Sequence, residues 1–326
     1  MKFARLLLVG IFSALTTSVY ADERESPLEE IIRVIEQNWY YPLTEEEKKE
    51  IYNCVLIRAA NTMLLPASAN TLLPNCFGKD KYLRVRIPTS HDGTAPGKET
   101  LFDATLRIEA MPSGLDGVTF GSITMTKDVP GYKEMDEYFL PHLERMRNAG
   151  VEVYSVNLND NRGGYVYGAA AFLSYFASVS DKTDQLLFEI RKRINPTNRF
   201  MATKPGIAAN ACLAVLVNKN TASAAEIIAY VLQKQMRAYV VGEITFKKGI
   251  SQIEKTLRNG VKVKFTDGKI FYADGATIHQ RGVIPDFITG DENVQRESAI
   301  THLRRCHAQK QAERNRLPEV VVSAHE

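Results

Sequence analysis

The sequence predicts an α/β fold with a helical section in front of it, and three observations carry that prediction. Beyond Leu101, short apolar runs rich in β-branched residues alternate with longer stretches of helical periodicity. Twice a strand-like run passes through a tight turn straight into a small-residue helix, as a parallel crossover unit requires. Before all of this, Leu28, Ile31, Ile32, Val34 and Ile35 recur at helical spacing.

The chain opens with Lys2 and Arg5, an apolar run from Leu6 to Leu15 and a small-residue exit at Val19-Tyr20-Ala21. This is the pattern of a secretory signal peptide, so residues 1–21 are expected to be removed and the mature chain to start near Asp22. The run is short for a bilayer span, and no later stretch approaches the roughly 20 apolar residues a spanning helix needs. No stable membrane insertion is therefore expected, and the mature protein should be periplasmic or extracellular. Loss of Lys2 and Arg5 lowers the formal charge from +3 to +1, which argues against nucleic acid as a partner.

Residues 22–82 read as an N-terminal helical section: a first helix, a break at Pro42, then a second start at Thr44 followed by Glu45, Glu46 and Glu47. From Ala67 to Gly97 the chain is rich in Pro, Ser, Asn and Gly around a strand-like Tyr82–Ile87, and residues 83–117 form a short cap or linker segment. Residues 118–290 make the core. Its first strand covers Val118–Met125, followed by a helix from Lys133 to Asn148 that Gly150 stops. A second strand, Val151–Leu158, runs into Asn161-Arg162-Gly163-Gly164 and a helix with Ala169 to Leu173; a third, Leu213–Val217, turns into the helix Ala224–Gln235. Tyr239–Val241 and a hairpin turning at Asp267-Gly268 add strands, and residues 291–326 form a C-terminal helix and short tail whose basic part reads as a solvated face.

Four cysteines, Cys54, Cys76, Cys212 and Cys306, permit disulfides in an oxidising compartment; at least one is expected, with Cys54–Cys76 first because both flank one helix–loop segment. His302 and Cys306 lack the further partners a zinc site needs and read as a solvated helix face, so neither metal nor cofactor is expected.

Thr221-Ala222-Ser223-Ala224-Ala225-Glu226 places a serine at a sharp strand-to-helix passage. Such an elbow exposes the hydroxyl and presents the Ala224 amide, at a helix N-terminus, to a developing oxyanion; the same position also suits a simple N-cap serine. A serine hydroxyl needs a base, and a lysine serves as one only when burial lowers its pKa. Lys248, in Thr245-Phe246-Lys247-Lys248-Gly249-Ile250-Ser251-Gln252, lies between the strand-like Tyr239–Val241 and the next core segment, apolar surroundings able to desolvate it, whereas Lys247 reads as solvated.

Together these stretches resemble the C-terminal processing peptidases, or tail-specific proteases, from about Gly121 to Phe287. In that family the serine is followed 25 positions later by lysine and 4 further on by glutamine, and Ser223, Lys248 and Gln252 meet both spacings. Asn161-Arg162-Gly163-Gly164 is similar to the family's Asn-Pro-Gly-Gly turn, and Gly282-Val283-Ile284-Pro285-Asp286 to its late Gly-Val-x-Pro-Asp element. The resemblance implies a crotonase-like core acting on polypeptides, with Ser223 as nucleophile, Lys248 as base and Gln252 orienting it. It implies an oxyanion hole from the amide of Gly163 or Gly164 with that of Ala224.

The chain departs from the family pattern at Asn157, Asn159, Arg162 and Lys247, where Asp, Arg, Pro and Gly are usual. Residues 83–117 are also too few for the PDZ module that family members commonly insert. Substrate is then expected to lie extended in a groove beside the core, bound largely through its backbone. Two alternatives are a Ser/His peptidase resembling the nisin-resistance protein, with His91 as base, and a noncatalytic binding protein on the same scaffold.

Overall fold

A computed structural model describes residues 27–61, 76, 78, 80, 82–86, 106–112, 119–125, 128–179, 183–257 and 261–316. The expected signal peptide, His91 and the final tail lie outside the described residues. The elements are α1 (Pro27–Asn38), α2 (Glu45–Asn61), β1 (Arg84–Arg86), β2 (Leu106–Pro112), β3 (Thr119–Met125), α3 (Tyr132–Glu134, continued through Met135–Phe139 and Leu140–Asn148), β4 (Val153–Asn157), α4 (Val166–Ser174), β5 (Gln185–Lys192), β6 (Asn198–Ala202), β7 (Cys212–Val217), α5 (Ala224–Gln235), β8 (Tyr239–Gly242), β9 (Ile250–Thr256), β10 (Lys262–Tyr272), β11 (Phe287–Ile288) and α6 (Glu292–Arg316).

The central sheet runs β11-β8-β7-β4-β3-β2, parallel except for the antiparallel edge strand β2. Every residue of β7 is buried because both its faces are covered. Leu213, Val215 and Val217 join the core beneath α3, α4 and α5, and Cys212, Ala214 and Leu216 meet Ala299 and Leu303 of α6. Within α3, Met135–Phe139 forms a π-helical turn just before Pro141, which has no amide to continue the ordinary ladder. The helix ends at Gly150 (φ 80°), where the amides of Gly150 and Val151 turn back to the carbonyls of Arg147 and Met146.

A second, antiparallel sheet follows the order β1-β10-β5-β6, with β9 also on β10. Its β5, β6 and late β10 side chains extend the main core through Phe188, Phe200, Ile270 and Tyr272. Val263 and Phe265 instead meet Ile31, Ile35 and Trp39 of the N-terminal section in a smaller core. The start of α2 is the predicted one: the Thr44 amide donates to Glu47 Oε2 (2.8 Å) and the Glu47 amide to Thr44 Oγ1 (3.2 Å), a reciprocal cap.

The α/β class is as expected, with corrections in detail. Asp267-Gly268 is not a hairpin turn but a bulge inside the long strand β10, where register against β9 shifts between Thr266 and Gly268. A buried Asp survives there because Ser251 Oγ donates to its Oδ1 (2.8 Å) and Lys192 Nζ lies 2.9 Å from its Oδ2. Strands β5, β6, β9 and β11 were not anticipated, and β2 brings part of the 83–117 stretch to the edge of the central sheet. The C-terminal helix is not solvated all round. It lays Gln295, Ala299 and Leu303 on the sheet, stacks His302 on Tyr239 (centroids 4.5 Å apart) and is bonded through Cys306.

Two disulfides form, the anticipated Cys54–Cys76 and also Cys212–Cys306. The second joins α6 to the middle of the sheet across a sequence separation of 94, against 22 for the first. Chain-entropy reasoning makes Cys306→Ser the costlier change, about 4.6 kcal/mol against about 3.4 kcal/mol for Cys54→Ser. Denaturant midpoints of the two oxidised variants check that order.

Candidate active site

The parallel strands β4 and β7 are neighbours, with Asn157 opposite Leu216, so the loops leaving their C-terminal ends meet. Ligands in open parallel sheets gather at such ends. Thr221 Oγ1 donates to the Leu158 carbonyl (2.8 Å), and the side chains of Asn218 and Asn220 donate to Asp160 Oδ1 (3.1 and 2.8 Å). The Ala222 amide donates to the Asn161 carbonyl (2.9 Å). The second loop is thereby fastened to the first immediately before Ser223.

Ser223 has φ 56° and ψ −119°, a conformation that side-chain-bearing residues seldom adopt, at the head of α5. This is the sharp elbow the hexapeptide predicted, and it leaves Ser223 partly exposed between buried neighbours. Gly163 packs directly on it: a Cβ there would lie 2.7 Å from Ser223 Cβ and 3.1 Å from the Ala224 nitrogen, at φ 106°. Only glycine satisfies both demands. As the first residue of α5, Ala224 carries an amide with no acceptor inside the helix. The two glycine amides differ, since that of Gly163 donates to Asn161 Oδ1 (2.9 Å).

Lys248 Nζ donates to Gln252 Oε1 (2.8 Å) and lies 4.9 Å from the centre of the Tyr82 ring. Gln252 is fixed in turn by donating its Nε2 to the Tyr82 carbonyl (3.0 Å). Burial pushes the Lys248 amine below the usual lysine range, assisted by the positive charges of Lys264 and Arg84 and opposed by Asp80 and Glu226. Behind Tyr82 stands Asp80, itself buried, whose carboxylate accepts from Trp39 Nε1 (3.0 Å) and from the amides of Tyr82 (3.0 Å) and Thr266 (2.8 Å). The N-terminal section thus holds the lysine's surroundings in place.

The Ser223 and Lys248 segments converge on Glu226, which is fully buried. Its Oε2 accepts from the amides of Ser223 (2.8 Å) and Lys248 (2.8 Å), and its Oε1 from the Lys247 amide (2.7 Å) and Thr245 Oγ1 (2.5 Å). Burial raises its pKa, against the pull of these four donors. Thr245 Oγ1 also accepts from the Val283 amide (2.7 Å), and the Val240 amide donates to Asp286 Oδ2 (2.8 Å). These bonds give the Gly282–Asp286 element a structural role, fastening the Lys248 loop to β8.

Lys248 and Gln252 are therefore brought together, and Gly163 and Ala224 are brought to Ser223. No hydrogen bond joins Ser223 Oγ to Lys248 Nζ. Sequence reasoning missed the anchoring by Glu226 and the contributions of Trp39, Asp80 and Tyr82. A glutamate three residues after an N-cap serine was the available signal for the first; the others come from a distant segment with no motif. Lys247, where the resemblance expected glycine, has φ 76° and an exposed side chain, and Arg162 is exposed as well. Among the described residues no cluster of three or more His, Cys, Asp or Glu side chains is arranged to hold a metal ion.

Residues 119–289 match the sequence model of peptidase family S41. The carboxy-terminal processing protease CtpA of Bacillus subtilis is 29% identical over 208 residues, 63% of this chain and 42% of that protein. The chloroplastic carboxyl-terminal-processing peptidase 1 of Arabidopsis thaliana is 31% identical over 151 residues, 44% of this chain and 29% of that one. The chain thus spans less than half the length of either relative. Among solved structures, a lipoprotein from Streptococcus agalactiae superposes with a TM-score of 0.60 at 16% identity, over 88% of this chain and 99% of that one, a likeness of fold.

Two outcomes follow from the local geometry. Lys247→Gly should stabilise the protein by about 1 kcal/mol, because glycine removes the left-handed penalty while the amide to Glu226 is kept; thermal unfolding measures it. Glu226→Gln, whose amide nitrogen cannot accept, strands two of the four buried donors and should cost about 2–4 kcal/mol in denaturant unfolding.

Proposed function

Because the chain belongs to peptidase family S41, we propose that it is a secreted serine endopeptidase working through an acyl-enzyme, with Ser223 as nucleophile and Lys248 as general base. The observation that carries this reading is the shared anchor: one buried carboxylate, Glu226, accepts from the backbone amides of both residues. An N-cap serine needs no such tie to a buried lysine. The domain reading goes with it: a signal peptide over 1–21, a helical section over 22–82, a cap over 83–117, the peptidase core over 118–290 and a terminal helix beyond. Secretion to the periplasm or outside the cell is supported by the two disulfides.

In this mechanism the neutral Lys248 amine donates one N–H to Gln252 Oε1, which directs its lone pair away from Gln252 and toward the hydroxyl. Side-chain rotation on substrate binding closes the remaining gap to Ser223. Oγ attacks the peptide carbonyl as its proton passes to Nζ, and the oxyanion is held by the Ala224 amide with that of Gly163 or Gly164. Gly164 is the readier partner, since the Gly163 amide is engaged by Asn161. Collapse of the adduct expels the amine, which takes the proton from Nζ. Lys248 Nζ then takes a proton from water as it attacks the acyl carbon and returns it to Ser223 Oγ as the acyl–oxygen bond breaks, releasing the acid and restoring the hydroxyl.

A second reading, a noncatalytic polypeptide binder, is favoured by one observation: Lys248 bonds Gln252 and not Ser223. Activity separates the two. With a depressed pKa, Lys248 is protonated and inactive at low pH, so kcat/KM should rise with pH through that pKa and level off below the ordinary lysine value. Ser223→Ala and Lys248→Ala should each lower kcat at least about a thousandfold, and the double variant little more. Gln252→Ala should lose less, and His91→Ala should keep its rate. A Lys248→Ala protein that retains its rate while His91→Ala loses it would replace the lysine base by histidine. Absence of turnover and of fluorophosphonate labelling at Ser223 at every pH would favour the binder.

A further inference from the structure

Alternation along β4 sends its side chains into two different layers. Tyr154, Val156 and Leu158 enter the main core, whereas Val153 joins Ala299 and Leu303 of α6 on the other face. Asn157 and Asn159 continue the Val153 series, so Asn159 leaves the strand end on the α6 side. There its Nδ2 donates to Gln295 Oε1 at 2.9 Å. A tight turn follows at once: the Asn161 amide donates to the Leu158 carbonyl (3.1 Å) across Asn159 and Asp160, with Asp160 at φ 61°. Asn161 is fully buried; its Nδ2 donates to the Met125 carbonyl (3.2 Å), its Oδ1 accepts from the Gly163 amide (2.9 Å) and its carbonyl accepts from the Ala222 amide (2.9 Å). Gly163 in turn lies against Ser223. A short turn therefore connects a helix on one face of the sheet to the backbone that packs on Ser223 at the other.

Gln295 is itself firmly held. It is 1% exposed, in the first turn of α6, and its amide donates to the Asp291 carbonyl (2.9 Å). Asp291 Oδ1 caps that turn by accepting from the amides of Asn293 (2.8 Å) and Val294 (3.2 Å), and the preceding Thr289 amide donates to the Gly242 carbonyl of β8 (2.9 Å). Gln295 Nε2 points to the Thr289 carbonyl (3.4 Å), which leaves Oε1 to Asn159. Ala299, Leu303 and the Cys212–Cys306 disulfide seat the rest of the helix on the sheet. At the other end, Asn159 Oδ1 is buried without a hydrogen-bond partner among the described residues, so the bond to Gln295 is what orients this amide.

We propose that Gln295 is a positioning residue for acyl transfer: through Asn159 it sets the turn that carries the Gly163 and Gly164 amides, and with it the geometry of the oxyanion hole. The proposal rests on the peptidase reading. A donor stabilises the oxyanion when it meets it at about 2.7–3.1 Å, and removing one donor costs about 10²–10³ in kcat. Loosening the turn leaves the donors present and should cost less, about tenfold. The loss should fall on kcat, because the hole binds the adduct more strongly than the ground-state carbonyl. Lys248 is held separately, by Gln252 and the Tyr82 carbonyl behind it, so the pH at which activity rises should not move.

The test uses the full mature protein and a fluorescence-quenched peptide that it cleaves. Gln295→Met, which keeps the length of the side chain and removes the acceptor, should lower kcat about tenfold with KM and the pH midpoint unchanged. Asn159→Ala should do the same and the double variant little more, since both remove one contact. Gln295→Glu keeps an acceptor oxygen and should retain at least about a third of the rate. Leu303→Ala opens a cavity beneath the same helix about two turns further on; it should lower the melting temperature at least as much as Gln295→Met while keeping kcat. Hydrogen exchange followed by mass spectrometry should quicken over residues 157–164 in Gln295→Met and stay unchanged over β7. A folded Gln295→Met protein with wild-type kcat overturns the proposal and leaves the peptidase reading standing. Equal loss of kcat in Leu303→Ala overturns it too, by assigning the effect to the seating of α6. Should Gln295→Met fail to fold, Asn159→Ala carries the same expectations from the turn itself. Where the wild type cleaves nothing, the peptidase reading falls alone: faster exchange over residues 157–164 in Gln295→Met still upholds Gln295 as the residue that holds the turn, and unchanged exchange overturns it.

Discussion

A carboxylate inside a protein is costly unless donors replace its water, and at Glu226 this constraint organises the candidate active site. Removing an ionised group from water costs several kcal/mol, and hydrogen bonds to a charged group return about 1.5–3 kcal/mol each. Four donors are therefore about the number needed, and they come from Ser223, Thr245, Lys247 and Lys248. Each of these bonds can form only if the elbow and the lysine loop hold their positions. The left-handed backbone at Ser223 and Lys247, which costs about 1–2 kcal/mol per residue, is the conformational consequence. Strain at the serine is stabilised by the same carboxylate that places the lysine.

The lysine obeys an opposite balance. Desolvation favours the neutral amine, and Lys264 and Arg84 add to that effect, while Asp80 and Glu226 resist it. Burial outweighs Asp80, whose oxygens also serve Trp39, Tyr82 and Thr266. Through the Tyr82 carbonyl the same arrangement fixes Gln252, so the N-terminal section positions the partner of Lys248. The small core of Ile31, Ile35, Trp39, Leu83 and Phe265 is in this sense a support for the candidate site.

What was legible in the sequence was what local rules encode. Strand β7, helix α5 and the elbow between them declare themselves through β-branching, small residues and an abrupt change of period. Lys248 and Gln252 were found by their spacing from Ser223, and Cys54–Cys76 by closeness in the chain. Nonlocal satisfaction was illegible. Asp267-Gly268 has the composition of a hairpin turn, and only Lys192 and Ser251, brought from elsewhere, make a buried bulge of it. α6 looks solvated by its charge, yet three buried positions, Gln295, Ala299 and Leu303, with a disulfide suffice to seat it. Asp80 lies in a polar, loop-like stretch, and Tyr82 opens a short strand-like run that carries no motif.

Two of the four departures from the family pattern, Lys247 and Arg162, fall where the backbone, not the side chain, does the structural work. At Lys247 the amide serves Glu226 while the side chain projects outward, so the substitution costs backbone strain without removing a contact. Arg162 is exposed between Asn161 and Gly163, whose backbone and amide groups make the contacts to the elbow and the turn. Asn157 and Asn159 differ in kind, because their side chains are used: Asn157 Oδ1 accepts from the Asn159 amide (3.0 Å), and Asn159 Nδ2 donates to Gln295 Oε1 (2.9 Å) on α6. The turn at the end of β4 is thereby tied to a helix that a disulfide already holds against β7. Two neutral amides stand there, and the helix supplies an acceptor for the Nδ2 of half-buried Asn159, while its buried Oδ1 has no hydrogen-bond partner among the described residues.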